Sequence, residues 1–517
     1  MQKQTKRFGA LVFTIAILVL LISCKSKETP APPTETSAPQ TQTTTALPSP
    51  IATPLVDANS NPLTGLPVED INLLDLPALL VSISHFPVEA RPQAGLSFAP
   101  WVFEIYITEG ATRFLSVYHG EFPEPETPVT GDCPIRSEPF VQTANFIGDR
   151  VWLDENANQL QDAWERGVGG VCVTLYAENG TPLQQTSTDS NGYYGFNVDA
   201  GRYVLIFQKP AWTQFVQKNI GIEEQDSDAD PATGQTEALG VTSSLHNVDA
   251  GLILTSQPPT TSELPAAKVG PVRSGRLVYA DIAAFFPESC LIYAFASPEV
   301  LELLPQCFFV NHDLQGGGYL LEINELKRLA EESKLYDIDY SSNAFAETPP
   351  AGGEPAARLD VYVAYLNQAA WIYDAASQTY WRFVDKADIE NPGVLYPEID
   401  RLTSRQLQFE NVIVLFTKHD VVSPTNLDIH LEEDQQGSAL LFRDGQKYDI
   451  FWNTQLSDEE RQSGRHKPIK FIDPNTKQLM PLKPGHTWIF IVTPETSVTP
   501  QGNGTWYLEF FQPPDAK

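Results

Sequence analysis

The sequence predicts an α+β protein whose mixed α/β core and β-rich C-terminal domain are interrupted by an all-β, Greek-key sandwich. Strand-like and helix-like segments share residues 61–125 and 266–346, whereas residues 358–512 consist mostly of strand-like runs. Two stretches rich in Pro, Thr and acidic residues, at 121–128 and 255–265, bracket a segment of different composition, with short β-prone runs and Asn-Gly turns.

Composition limits the classes of function open to this chain. Its 517 residues include 34 Lys and Arg against 65 Asp and Glu, which gives a formal net charge of −31. At about 150 residues per domain, this length predicts roughly three domains. A hydrophobic content of 42% is too high for a disordered chain. The acidic balance argues against nucleic acid as a partner, because phosphate contacts need a basic face, and it is typical of an ectodomain or a cation-binding protein.

The first 23 residues are predicted to be a lipoprotein signal peptide. Lys3, Lys6 and Arg7 precede an apolar run, 11–22, which is shorter than the roughly 20 residues that a membrane-spanning helix needs. The run ends in Leu-Ile-Ser before Cys24, which resembles a bacterial lipobox. This resemblance implies lipid on the Cys24 thiol and a location on the outer face of the bacterial cytoplasmic membrane or the cell surface. An uncleaved anchor and a plain signal peptide are the alternatives.

Residues 24–60 form a second segment of distinct composition. They are rich in Thr, Pro and Ser and contain almost no aromatic residue. Such a segment has too few groups to bury in a core. We therefore expect a disordered tether, kept extended by its Pro residues, between the membrane and the folded part.

Four cysteines follow Cys24, and none lies in a Cys-x-x-Cys pair that would favour a metal or redox site. Export makes disulfides plausible, and their positions along the chain favour pairing Cys133 with Cys172 and Cys290 with Cys307. Buried free thiols are the alternative.

The bracketed segment, residues 126–258, is predicted to be an inserted all-β domain. Its β-prone runs are short, and turn signals such as Asn179-Gly180 and Asn191-Gly192 separate them. The runs are 146–153, 170–177, 193–198, 202–208 and 248–254.

An acidic stretch in this insert has the ligand spacing of a calcium loop. In the twelve residues 154–165, oxygen-bearing side chains occupy positions 1, 3, 5, 9 and 12, and a backbone carbonyl serves at position 7. Gln159 stands at position 6, which is usually Gly, and a left-handed conformation there would cost about 1–2 kcal/mol. A solvated acidic turn is the alternative. The predicted Ca2+ ligands are Asp154, Asn156, Asn158, the Leu160 carbonyl, Asp162 and Glu165.

A second acidic cluster, Asp226, Asp228 and Asp230, is a weaker candidate metal site, for which a solvated loop is the alternative. Five segments of the insert, taken in order, resemble the B-type domain of the Sdr surface adhesins. This resemblance implies a calcium-binding β-sandwich that serves as a rigid spacer on bacterial surfaces. The segments are 148–162, 169–175, 188–196, 226–230 and 248–252.

The parts that flank the insert carry the elements of the predicted core. Before the insert, strand-like runs 101–108 and 112–119 are joined by Glu109-Gly-Ala111, a hairpin signal. After it, helix-like segments at 277–286 and 324–335 surround a buried strand. Five C-terminal tryptophans are predicted to lie in the core rather than to face carbohydrate. They are Trp371, Trp381, Trp452, Trp488 and Trp506.

Both flanking parts resemble the YerB-like family of bacterial lipoproteins, whose N- and C-terminal DUF3048 domains have no known function. The N-terminal motifs are Asn61-Pro-Leu-Thr-Gly-Leu66, Ala90-Arg-Pro-Gln-Ala-Gly-Leu96, Glu109-Gly-Ala-Thr-Arg-Phe-Leu115 and Gly270-Pro-Val-Arg-Ser-Gly-Arg276. The C-terminal motifs are Asn411-Val-Ile-Val414, Gly437-Ser-Ala-Leu-Leu-Phe-Arg-Asp-Gly445 and Gly485-His-Thr-Trp488. Where the family often has Pro-His-Asn-Leu-Tyr, this chain has Gly316-Gly-Gly-Tyr-Leu-Leu321.

The N-terminal motifs concentrate arginine. Guanidinium groups bind carboxylate or phosphate through two parallel hydrogen bonds, so these residues predict an anion-binding cleft for a cell-wall or phosphorylated ligand. Arg–Glu pairs that pin loops together are the alternative. The candidate cluster comprises Arg91, Arg113, Arg273, Arg276, Glu104 and Glu109.

The sequence contains no His-Glu-x-x-His, no Gly-x-Ser-x-Gly and no phosphate-binding loop. We therefore expect a non-catalytic, membrane-anchored envelope lipoprotein that binds a ligand or a cell-wall or surface partner, with a calcium-rigidified spacer. The alternative is an envelope hydrolase acting on cell-wall polymer, which would need Glu104 or Glu109 exposed in a cleft.

Overall fold

The structure is a computed structural model that describes residues 59–514. The exceptions within this range are 257–263, 306, 310–318, 337, 339, 341–342, 424 and 464–468. The predicted signal peptide, Cys24, most of the predicted tether and the start of the 316–321 segment therefore lie outside the described residues. No helix in the described part of the chain is both long enough and apolar enough to cross a membrane.

The chain first forms an antiparallel unit in which β3 lies between β1 and β2. A tight turn joins β2 to β3 at the predicted hairpin, where Glu109 and Gly110 have φ values of +48° and +79°. The strands are β1 (Leu79–Ser84), β2 (Trp101–Thr108) and β3 (Ala111–Tyr118).

The insert follows and is all-β. Among its described residues, two four-stranded sheets, with orders β10-β8-β5-β6 and β7-β4-β11-β9, contribute side chains to one hydrophobic core. The strands are β4 (Asn145–Leu153), β5 (Cys172–Ala177), β6 (Pro182–Ser187), β7 (Tyr193–Val198), β8 (Gly201–Gln208), β9 (Thr213–Phe215), β10 (Leu239–Val241) and β11 (Ala250–Leu254).

After the insert the chain returns to the first unit. This part contains β12 (Lys268–Val272), α1 (Val278–Ala284), β13 (Cys290–Tyr293), α2 (Pro298–Leu301), β14 (Phe308–Phe309), β15 (Tyr319–Glu322) and α3 (Ile323–Ser333). The buried side of α3 carries Ile323, Leu326, Leu329 and Ala330, as expected of an amphipathic helix on a sheet.

The C-terminal part is almost entirely strand. It contains β16 (Glu354–Pro355), β17 (Arg358–Ala364), β18 (Asn367–Asp374), β19 (Thr379–Asp385), β20 (Leu395–Pro397), β21 (Gln408–Phe409), β22 (Asn411–Phe416), β23 (His419–Ser423), β24 (Asn426–Ile429), β25 (Gln436–Arg443), β26 (Gln446–Asn453), α4 (Asp458–Ser463), β27 (Lys470–Ile472), β28 (Thr487–Val492), β29 (Ser497–Gly502) and β30 (Thr505–Glu509).

One large sheet joins the two flanking parts. In the described residues it has thirteen strands, and its main path runs β14-β13-β1-β3-β2-β28-β22-β25-β26-β16. The parallel pairing of β2 with β28 is the junction, with Trp101 opposite Thr487 and Ile105 opposite Ile491. The parts on either side of the insert therefore share one backbone hydrogen-bond network.

A second sheet packs against the first. It has seven described strands, with β20-β19-β18-β17-β30-β29 as its main path and β21 on β19. Trp371 from this sheet meets Trp488 from the large sheet edge to face, with ring centroids 5.3 Å apart. All five tryptophans predicted to be core residues are buried, which confirms that prediction.

The insert is docked on the second sheet through Arg136. Its Nη1 lies 2.6 Å from Asp374 Oδ1, and its Nη2 lies 3.4 Å from Asp189 Oδ2 in the insert. The guanidinium also stacks 4.9 Å from the centre of the Trp381 ring. A partly buried cation thus links the insert to the second sheet.

The chain is therefore mostly β-sheet, arranged in several sheets. The helical share that the sequence predicts for the core is small in the described residues, and α3, with 11 residues, is the longest helix there. Sheet dominates because the second sheet packs against the large sheet, as the contact between Trp371 and Trp488 shows.

Candidate functional site

The first acidic stretch folds into a closed loop between β4 and β5. Asp154 Oδ1 accepts a hydrogen bond from the N–H of Asn158, at 3.1 Å. At the far end, Glu165 accepts from the N–H groups of Glu155 (2.9 Å) and Asp162 (3.1 Å). Asp154 and Glu165 are only 4% and 1% exposed. The first and last predicted ligands therefore fasten both ends of the loop.

The middle of this loop is arranged around Asp162. Its Oδ2 accepts from the side-chain amides of Asn156 and Asn158, each at 2.8 Å. The N–H of Leu160 donates to Asn158 Oδ1 at 2.7 Å. Gln159 has a φ of +69°, the left-handed conformation that position 6 requires even without glycine. The structure thus brings the predicted ligand residues into one compact loop.

The second acidic cluster contains a member that sequence reasoning missed. The backbone N–H of Asp249 donates to Asp228 Oδ2 at 2.8 Å, and the backbone carbonyl of Asp249 accepts from the N–H of Asp228 at 2.9 Å. Asp230, by contrast, turns to the N–H of Thr233 (3.0 Å) and closes its own turn. The signal for Asp249 lay in the 248–252 segment, which resembles the adhesin module.

Carboxylate oxygens in this second cluster lack partners. Asp226 Oδ1 and Asp249 Oδ2 are buried and accept no hydrogen bond from the described residues. Burial raises the pKa of Asp228 to about 7 and, with Asp149 nearby, raises the pKa of Asp249 well above its usual value. Buried acids without counter-charge hold protons more tightly, and a cation would relieve the same cost.

The carboxylates of either acidic cluster do not form a metal site by themselves. In the part of the chain that the structure describes, no group of three or more His, Cys, Asp or Glu side chains is placed to hold a metal ion. Ca2+ takes six to eight oxygens and accepts amide and backbone carbonyl oxygens as well as carboxylates. The first loop offers that mixed set of oxygen donors.

The predicted Arg and Glu residues lie on two faces of the β1–β3–β2 sheet. Glu104 on β2 is opposite Phe114 on β3, and Ser84 on β1 is opposite Arg113. Directly paired residues share a face, and successive residues alternate. Glu104 and Arg113 therefore point to opposite faces.

The Glu104 face is a closed network of paired charges. Arg382, 1% exposed, lies 3.2 Å from Glu104 and 2.5 Å from Glu398. Its guanidinium stacks 4.2 Å from the Trp488 ring, whose Nε1 donates to Glu104 at 3.0 Å. Every member is buried, so this network is a structural link between the two sheets.

Arg91 belongs to the same face. Its Nη2 lies 2.6 Å from His85 Nε2, while His85 Nδ1 lies 2.7 Å from the Thr112 hydroxyl, which donates to Glu104. This chain of contacts makes Nδ1 the protonated nitrogen of a neutral His85. Burial, and then the Arg91 charge, hold the pKa of His85 well below its usual value.

The opposite face holds Arg113, Arg273 and Arg276. Arg113 is 7% exposed, and its Nη1 donates to the Ser274 hydroxyl at 3.3 Å. Arg273 Nε donates to Ser84 at 3.3 Å. Burial, followed by the charge of Arg276, lowers the pKa of Arg113 to about 9. Three of the four predicted arginines therefore converge here.

Glu109 lies apart from both faces. It is exposed in the β2–β3 turn. The six residues of the candidate cluster thus occupy three places: Arg91 and Glu104 in the paired network, the other arginines on the opposite face, and Glu109 on a turn.

Comparison with protein families finds matches for three stretches of the chain. Residues 63–141 match the N-terminal domain and residues 360–489 the C-terminal domain of the protein of unknown function DUF3048. Residues 145–252 match the SdrD B-like domain. The chain joins two DUF3048 domains to an SdrD B-like insert. These matches confirm both resemblances predicted from the sequence.

Individual relatives match parts of the chain. The serine-aspartate repeat-containing protein C of Staphylococcus aureus strains MRSA252 and Newman is 44% identical over 93 residues, or 18% of this chain. This chain spans only 10% of the length of those relatives. The crystal structure of YerB protein from Bacillus subtilis is 17% identical, with a TM-score of 0.45, and the match covers 84% of this chain and 96% of that chain.

Two disulfides lie in the described residues. Cys133 bonds to Cys172 at the SdrD B-like insert, and Cys290 bonds to Cys307 in the returning core segment. Both bonds follow the pairing favoured from the sequence. The first attaches the segment that leads into the insert to β5.

A crevice of about 1020 Å³ lies where the insert meets both DUF3048 domains. Its walls include Glu121, Trp164 and His486, and burial raises the pKa of Glu121 to about 7. Arg405 crosses one wall to Glu126, at 2.5 Å. None of the six candidate anion-binding residues lines this crevice.

Proposed function

We propose that this chain is a non-catalytic, ligand- or partner-binding ectodomain of the bacterial cell envelope, with a calcium-binding spacer. Lipid on Cys24 would anchor it to the membrane, and the tether would place the folded part near the cell wall. The match of residues 145–252 to the SdrD B-like domain carries the surface location.

Calcium binding is supported by the donor set of the insert. The first site would use Asp154, Asn156, Asn158, the Leu160 carbonyl, Asp162 and Glu165, all in one closed loop. The second cluster, Asp226, Asp228 and Asp249, has two buried oxygens without partners, but its carboxylates are not placed together to hold one ion in the described residues. Calcium in the first loop would neutralise its carboxylates and stiffen that loop between strands.

The contacts of Arg136 would fix the orientation of the insert on the core. Arg136 ties it to Asp374 and Trp381 of the second sheet, so a stiffened insert would move with the C-terminal DUF3048 domain. The spacer would thus hold a fixed position on the core instead of swinging on flexible linkers.

The alternative, a hydrolase acting on cell-wall polymer, receives no support from the described residues. Glu104 is 4% exposed and engaged with Arg382 and Trp488. Glu109 lies on a hairpin turn. General acid–base catalysis would need one of these carboxylates to face a cleft.

Calcium calorimetry on the secreted ectodomain from Lys25 onwards tests the proposal. We expect saturable heat at millimolar calcium or below. Asp154→Ala with Asp162→Ala should remove the tighter part of that heat, while Asp199→Asn, an exposed position in the same insert, should leave it unchanged. Absence of heat in the parent would refute the calcium site.

Anchoring and binding need separate assays. Cys24→Ala should release the protein into the medium of expressing cells. The parent ectodomain should co-sediment with purified cell wall without releasing soluble fragments. Release of fragments would replace the binding proposal with the hydrolase.

A further inference from the structure

We propose that Arg113, Arg273 and Arg276 form a binding site for a phosphate group, on the face of the β1–β3–β2 sheet opposite the Glu104 network. This inference rests on the proposed role of the chain as a ligand-binding ectodomain and names the chemistry of its ligand.

Backbone geometry brings these arginines together. The N–H of Arg273 donates to Ser82 O at 2.8 Å, which lays the 273–276 segment along β1, and Ser82 Oγ lies 3.2 Å from Ser274 O. Arg113 reaches the same point from β3, where it is opposite Ser84. The three guanidiniums are therefore placed by main-chain hydrogen bonds instead of by flexible loops.

Hydroxyl groups lie beside the guanidiniums. The Ser274 hydroxyl accepts from Arg113 and can itself donate to a ligand, whereas the Ser82 and Ser84 hydroxyls donate to Ser274 O and Phe86 O. Phosphate offers several acceptor oxygens and up to two negative charges, so it can use guanidinium forks and hydroxyls together. A carboxylate, with one charge and two oxygens, would satisfy fewer of them.

Two of these arginines have no acidic partner in the described part of the chain. Within the described residues, no carboxylate forms an ion pair with Arg113 or Arg276. The Nε atoms of both are buried and have no hydrogen-bond partner there. Arg113 is only 7% exposed, so its Nε–H donor is held inside the protein without an acceptor among the described residues.

A bound anion would supply the counter-charge that Arg113 and Arg276 lack among the described residues. Burial and the neighbouring guanidiniums already lower the pKa of Arg113, yet arginine does not give up its proton in proteins. Leaving buried like charges together is costly, and a bound anion removes both the repulsion and the missing acceptor. Arg273 and Arg276 are partly exposed, so an anion can reach the cluster from solvent.

Titration of the parent ectodomain with inorganic phosphate tests this site. We expect a saturable rise in melting temperature and saturable heat, at constant ionic strength and pH. Sodium acetate, the carboxylate arm, and sodium chloride should give neither. Arg113→Met should weaken phosphate binding by about tenfold or more, whereas Arg202→Met, at an exposed pair with Glu178, should leave it unchanged.

Two more variants keep the test decisive. If Arg113→Met fails to fold, Arg276→Met replaces it, and Arg276→Lys should retain part of the affinity because the charge remains. Equal binding by parent and Arg variants, or an equal response to chloride, would mean an adventitious ion only and overturn the site. Calcium binding and wall co-sedimentation are measured separately, so failure here leaves the proposed function standing.

Discussion

The two faces of the β1–β3–β2 sheet carry polar clusters of opposite kinds. On one face Arg382 lies between Glu104 and Glu398, so each buried charge meets a counter-charge. On the other face Arg113 and Arg276 have no carboxylate partner among the described residues. Paired charges neutralise each other and act as scaffold. Charges of one sign in surplus keep donors available for a ligand.

The insert shows the same contrast between paired and unpaired charges. Arg136 is held between Asp189 and Asp374, whereas Asp226 and Asp249 keep buried oxygens without partners. The sign of the unpaired charge decides which ion can neutralise it. Aspartate can take a proton or a cation, but arginine cannot lose its proton and needs an anion.

Removal of Arg382 should have the largest effect. Arg382→Met leaves Glu104 and Glu398 buried without a cation and removes the stacking on Trp488. We expect the ectodomain to lose about 5 kcal/mol of unfolding free energy. Urea unfolding followed by tryptophan fluorescence measures this. A loss below about 1 kcal/mol would contradict the assignment of this network as scaffold.

The docking arginine should come second. Arg136→Met leaves Asp189 and Asp374 facing each other without a cation, at a site less buried than Arg382. We expect a loss of about 3 kcal/mol and faster hydrogen exchange where the insert meets the second sheet. Lys218→Met, at the exposed pair with Glu237, is the control. Unchanged exchange at the contact would show that Arg136 does not hold the insert.

The third prediction concerns Asp281, a partly buried acid on α1. Burial, with Glu432 and Asp428 nearby, raises the pKa of Asp281 to about 7 from its ordinary 3.8. Between these values the folded state binds the proton more tightly than the unfolded state, so this group makes stability fall as pH rises from about 4 to 7. Asp281→Asn should match the parent near pH 4 and exceed it at pH 8.

Unfolding midpoints of the parent and Asp281→Asn across that range test the sign. The effect should be smaller than those of the ion pairs because solvent reaches Asp281 in part. A difference between the two proteins that does not vary with pH would show that Asp281 is ionised throughout.

The smallest effect should come from Arg113. In phosphate-free buffer, Arg113→Met removes a costly buried charge along with its weak bond to Ser274, so stability should change by less than about 1 kcal/mol. The same urea experiment as for Arg382 measures it. A loss as large as that of Arg382→Met would mean that Arg113 is paired, and both faces would then be scaffold.

Sequence patterns predicted the features that depend on local spacing. The strands of the insert, the hairpin at Glu109, the loop 154–165 and the disulfide partners all involve residues close in the chain or in recognisable motifs. The sequence also grouped Arg113, Arg273 and Arg276 through their motifs, but it placed Arg91 and Glu104 with them. Arg382, Glu398 and Asp249 carried no signal strong enough to be chosen.

By itself, the sequence determined which residues are polar, which segments form strands and which loop has calcium spacing, because these follow from residue type and short periodicities. Only the tertiary structure decided which charges are paired. The β2–β3 register places Glu104 opposite Phe114, so Arg113 turns to the other face, and the parallel pairing of β2 with β28 brings Trp488 beside Glu104. Strand register is set by long-range backbone pairing, and a shift of one residue would exchange the two faces.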